Sequence, residues 1–157
     1  MVADDTTRTD ESTGGSGPGH RSVELTREAL GRYEIRNARG GAITVGDGST
    51  DDFTPVELLL AALAGCSSVD VDHITSRRAE PEKFVVVAEG EKASTPADGN
   101  HMTDLEVTFR LAFPEGEGGD AARAAVPRSV AQSRDRLCTV SRTVQLGMPV
   151  AMTARDS

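Results

Sequence analysis

From Thr54 the chain reads Thr-Pro-Val-Glu-Leu-Leu-Leu-Ala-Ala-Leu-Ala-Gly-Cys66 and continues Ser-Ser-Val-Asp-Val-Asp-His-Ile74. Thr54 can cap a helix, Pro55 suits the first helical position, and Glu57 completes a Thr-x-x-Glu capping box. Leu58 to Ala64 are apolar on every side, and a helix of that kind is buried rather than laid on a surface. The run is too short for a bilayer, which needs about 20 apolar residues. It is expected to be the central helix of a core, extending from about Pro55 to Arg78 until Pro81 stops it. Cys66 lies on it, and a lone Cys in an apolar helix is by itself core filler.

The rest of the chain gives that helix little else to pack against. Aromatic residues make up 3% of the 157 residues and Trp is absent, so a core must be built from Val, Leu, Ala and Ile. The net charge of −8 argues against a nucleic-acid partner, because phosphates need a clustered basic face. No apolar signal follows Met1 and no longer apolar run occurs, so a cytoplasmic protein with no membrane partner is expected. In that compartment two Cys suit a transient, redox-active pair better than a permanent disulfide.

Residues 1–21 are acidic, rich in Ser, Thr and Gly, and almost without apolar side chains; they read as a disordered tail to a single domain over 22–157. Val23 and Leu25, Tyr33 and Ile35, and Ile43 and Val45 alternate with polar residues as half-buried strands do. Asn37-Ala-Arg-Gly-Gly41 is a hairpin turn carrying Arg39. After the helix, Phe84–Ala88 and Met102–Phe113 form an antiparallel hairpin, Asp120 to about Leu137 a second helix with Pro127 inside it, and Val144–Met152 a last strand. This order describes an α+β domain.

Cys138 sits in Ser133-Arg-Asp-Arg-Leu-Cys-Thr-Val-Ser-Arg142, among Arg134, Arg136 and Arg142. Nearby cations lower a thiol pKa, so this is either a reactive thiol or an incidental Cys on a solvated, Arg-rich helix end.

The two Cys segments together, Thr54 to Val71 and Leu137-Cys-Thr-Val-Ser141, about 70 residues apart, resemble the OsmC/Ohr family of osmotically induced and organic hydroperoxide resistance proteins. The resemblance implies antiparallel sheets packed on a long buried central helix, in an intertwined homodimer with its active sites at the subunit interface. It implies a two-Cys thiol peroxidase in which Cys66 is peroxidatic and Cys138 resolving. The reductant would be an external dithiol such as a lipoyl protein, and no metal, haem or flavin would be needed.

Cys66 is about three turns into its helix, beyond the reach of the macrodipole, and an apolar setting disfavours a thiolate. A cation must come to it. In the family an Arg from the early hairpin does so, held by a Glu at the helix start. The Arg matches Arg39, with Arg36 as runner-up. The Glu would fall at Val56, ten residues before Cys66; Glu57 is one residue on, about 100° round the helix. Glu57 is therefore a capping residue or an Arg-positioning one. Pro-x-Glu-Leu resembles a broader OsmC-like branch, for which a redox sensor or small-ligand-binding dimer is the alternative to a peroxidase. Asp70-Val-Asp-His73 has the wrong spacing for a shared metal-binding face, and neither His20 nor His101 is placed to serve a thiol as base.

Overall fold

A computed structural model describes residues 19–156, so most of the polar tail expected over 1–21 lies outside the described residues. The chain divides into two compact units, one ending at Leu58 and the other beginning at Leu59. In the first, β1 (Val23–Ala29), β2 (Arg32–Asn37) and β3 (Ala42–Gly46) form an antiparallel sheet in that order. The β2–β3 turn is an Asx turn: Asn37 Oδ1 accepts from the backbone N–H of Arg39 and of Gly41, both at 3.0 Å. Gly40, at φ 92°, takes the left-handed position. The alternation in β1 promised a half-buried strand, but all seven of its residues are exposed, with Val23 at 69%.

Helix α1 (Pro55–Thr75) starts where the sequence placed it and ends three residues early, in a turn over 76–78. Within the single chain the helix is covered on one side only. Its buried residues are Leu63, Ser67, Val71 and Thr75, a single stripe of side chains four apart. The opposite side, with Ala61, Ala62, Gly65 and Val69, is exposed. A two-stranded sheet and short helices can cover only one stripe of so apolar a helix. At 21 residues α1 is also long and apolar enough to cross a membrane by length and composition, contrary to the expectation from its shorter all-apolar run. Within it, Ser67 and Thr75 turn their hydroxyls back onto the Leu63 and Val71 carbonyls at 2.7 and 2.9 Å, so no polar atom in the buried stripe is left unpaired.

In the second unit, β4 (Lys83–Thr95) and β5 (Gly99–Ala112) form the antiparallel hairpin; both strands reach further toward the connecting turn than expected, while β5 stops one residue short of Phe113. Phe84 and Phe109, diagonal neighbours across the strands, meet edge to face at 6.4 Å. A bulge interrupts the register at Gly90, opposite Asp104 and Leu105, and Asp104 adopts φ 53°. A Cβ on Gly90 would come within 2.8 Å of Leu105 Cδ2, which is why glycine stands there.

Helix α2 (Glu117–Gln132) begins three residues before the expected start and runs through Pro127. It passes into one π-helical turn, Ser133–Leu137, closed by the Cys138 N–H donating to the Ser133 carbonyl at 2.9 Å. The last strand expected over Val144–Met152 is absent. Thr139–Leu146 is instead helix α3, capped at its start by Cys138 and ended by Gly147 in the left-handed conformation. The Gly after Leu146 is a helix C-terminal signal, and 147–156 is exposed without regular structure.

Candidate functional site

The second unit brings Cys66 and Cys138 together. Both are free thiols; Cys66 is half-buried on α1, and Cys138 is fully buried at the junction of the π-helical turn and α3. Cys138 Sγ caps α3 by accepting from the Ser141 N–H at 3.3 Å. Burial pushes the Cys138 thiol up to about 11. The Ser141 N–H works against that rise, whereas Cys66 and the Asp70 carboxylate add to it. The arginines that adjoin Cys138 in sequence do not offset this rise. Arg134 is spent on Asp135, in a two-pronged pair at 2.7 and 3.0 Å, and Arg142 donates to Gln145.

One cross-link ties the two cysteine segments. Ser133 Oγ donates to Asp70 Oδ2 at 2.8 Å, joining the π-helical turn to α1 one helical turn beyond Cys66. Ser133 is 1% exposed, so its hydroxyl has no water to turn to. Neither residue stood out as a partner of the cysteines in the sequence, and only the four-residue spacing of Cys66 and Asp70 could have suggested that they share a face. Beside this cluster lies a cavity of about 410 Å³. Leu63, Leu105, Val107 and Phe109 are among its apolar lining, and Ser67, Ser133, Ser141, Glu106, Arg134 and Gln145 supply its polar groups.

The other candidates belong to the first unit. Arg39 stands at the tip of the β2–β3 turn, exposed, with no ion pair among the described residues. Arg36 is engaged by Glu34 at 2.6 Å. Glu57 closes the capping box: its carboxylate accepts from the Thr54 N–H at 2.7 Å and the Thr54 hydroxyl at 2.9 Å. Those bonds hold the Glu57 carboxyl below the usual carboxylate range. Glu57 makes no ion pair with Arg39 or Arg36, and no group of three or more potential metal ligands occurs among the described residues.

A hairpin-and-helix α+β domain with two neighbouring thiols on separate helices defines the class of protein. The family described as OsmC-like protein matches residues 46–153, and the chain belongs to that family. Its relatives include uncharacterised proteins of Mycobacterium tuberculosis and Mycobacterium bovis, each 28% identical over 133 residues, covering 84% of this chain and 94% of theirs. Among solved structures the fold is similar to an OsmC-like protein of Mycoplasma pneumoniae (TM-score 0.63, 15% identity, 80% of this chain and 86% of that one). It is similar also to a hypothetical protein of Aquifex aeolicus (TM-score 0.64, 22% identity, 80% and 87%). A third neighbour, from Legionella pneumophila, is described as an organic hydroperoxide resistance protein (TM-score 0.52, 15% identity, 80% and 88%).

Proposed function

We propose that the chain is a two-cysteine thiol peroxidase that reduces organic hydroperoxides, and that the observation carrying this reading is the meeting of Cys66 and Cys138. The Cys66 thiolate attacks the terminal peroxide oxygen and the O–O bond breaks. The alcohol leaves with a proton, and Cys66 becomes a sulfenic acid. Cys138 then attacks that sulfur, a Cys66–Cys138 disulfide forms, and water departs with the Cys138 proton. An external dithiol, such as a lipoyl group on a protein, restores both thiols by exchange.

The exposure gradient suits this division of labour, since the half-buried Cys66 can meet a peroxide while the buried Cys138 waits as a thiol. The apolar cavity beside the pair favours an organic peroxide over hydrogen peroxide. Arg39, free of ion pairs, is the cation proposed to stabilise the Cys66 thiolate, with Arg36 second because Glu34 already holds it. The exposed side of α1 supports a homodimer, because a partner copy is what would cover a helix of this composition. A cytoplasmic setting supplies the reducing dithiols the cycle consumes.

The test is stopped-flow oxidation by cumene hydroperoxide and by hydrogen peroxide, with mass spectrometry for the disulfide. The expected result is stoichiometric disulfide formation, faster with the organic peroxide. Cys66→Ser should abolish turnover, and Cys138→Ser should leave an oxidised Cys66; normal turnover by Cys66→Ser refutes the reading. The engagement of Glu57 by Thr54 favours a second reading, a redox sensor or ligand-binding dimer with little catalysis. A sensor oxidises once per chain, whereas an enzyme turns over with excess dithiol.

A further inference from the structure

We propose that Asp70 is a positioning residue for the second thiol: through Ser133 it clamps the π-helical turn that delivers Cys138 against Cys66. This rests on the reading of those cysteines as a redox pair and adds to it a residue outside the pair itself. The clamp is a single part-buried contact, from the buried Ser133 Oγ to Asp70 Oδ2 at 2.8 Å. It lies where α2 gives way to five residues of π-helix ending immediately before Cys138. Single π-helical turns of this kind are rare and are frequently found at functional sites. Ser133, at its first residue, supplies the anchor, and Asp70 lies on the same face of α1 as Cys66, one turn further on.

The same carboxylate acts on Cys138 directly. The groups bearing on that thiol are Cys66 and Asp70 from α1 and the Ser141 N–H from α3. Arg134, Arg136 and Arg142, which adjoin it in sequence, act on Asp135. Burial is the main reason that Cys138 stays a thiol, and the Asp70 carboxylate adds to that effect while holding the π-helical turn in place. In the condensation the Cys138 sulfur bonds to the Cys66 sulfur, the S–O bond of the sulfenic acid breaks, and the Cys138 proton leaves in the water formed.

The test uses the full chain and diamide, which joins two neighbouring thiols and is itself reduced to the hydrazine, so no peroxide chemistry is involved. Asp70→Ala and Ser133→Ala are expected to slow Cys66–Cys138 disulfide formation by about tenfold or more, the factor that accompanies loss of a hydrogen bond to a charged group. Asp70→Asn keeps an acceptor for the Ser133 hydroxyl and removes the charge. It should form the disulfide within about threefold of the wild-type rate, a change too small for loss of the bond. It should also shift the pH profile of Cys138 alkylation to lower pH, a readout that a purely structural role would not move.

Wild-type disulfide rates in both alanine variants, or an unshifted alkylation profile in Asp70→Asn, would overturn the proposal. The near-isosteric Asn variant keeps it testable where an alanine variant does not fold. If the wild type forms the disulfide with diamide but not with hydroperoxides, the peroxidase reading fails and the role of Asp70 stands on its own result. No disulfide with either oxidant overturns both.

Discussion

Cys138 should be among the slowest thiols to alkylate in a folded protein, by a factor that follows from its surroundings. Its pKa of about 11 compares with 9.0 for an unperturbed thiol, and the first cause is burial. At pH 8 the thiolate fraction is then about 0.1% instead of about 9%, a difference of roughly ninetyfold, since only the thiolate reacts. Initial rates with iodoacetamide, read peptide by peptide in mass spectrometry, separate Cys138 from Cys66. The rate at Cys138 should rise about tenfold per pH unit from 8 to 10 without levelling. A rate within threefold of the urea-unfolded chain at pH 8, or a plateau near pH 9, would refute the reasoning, because it would mean that the thiol titrates as if exposed. Stability carries the same signature. Between 9.0 and about 11 the folded chain keeps a proton that the unfolded chain has lost, so stability falls as pH rises through that window. Cys138→Ala should remove this alkaline loss.

Thr54→Ala removes the hydroxyl that accepts from the Glu57 N–H and donates to the Glu57 carboxylate, leaving the backbone arm of the capping box, and should cost about 1 kcal/mol in urea unfolding. Because the Thr54 bonds hold Glu57 below its ordinary 4.5, the capping contribution is present above that pH and is lost as pH falls through the folded value. Glu57→Ala should therefore lower the melting temperature at pH 7, by an amount that shrinks as the pH falls below 4.5; if it lowers peroxide turnover without affecting melting, Glu57 is an Arg-positioning residue instead. Val71→Ala, at a fully buried position, should cost about 2 kcal/mol in the same unfolding measurement. At the bulge, Asp104→Val forces a β-branched residue to φ 53° and should cost about 1–2 kcal/mol more than Asp104→Gly, as measured by their difference in unfolding midpoint.

Local chemistry was legible in the sequence wherever one short stretch carried the whole cause. The start of α1 follows from Thr54, Pro55 and Glu57 alone, since a cap involves only its own first turn. The two hairpins follow from period-two alternation broken by turn residues, as at Asn37 to Gly41. The pairing of the cysteine segments was available only as a resemblance, and the strand expected over Val144–Met152 is absent.

What depends on distant neighbours was decided by the tertiary structure. Whether α1 is covered depends on the area of its partners rather than on its own apolarity, and a hairpin with two short helices buries only the stripe from Leu63 to Thr75. The fate of Cys138 was likewise beyond its own segment. Three nearby arginines suggested a thiolate, yet the chain buries the sulfur beside Cys66 and Asp70 and spends Arg134 on Asp135. Electrostatic effects act through space and burial, which sequence neighbours do not report, and so the sequence determined that two thiols were present while only the fold determined which of them is kept as a thiol.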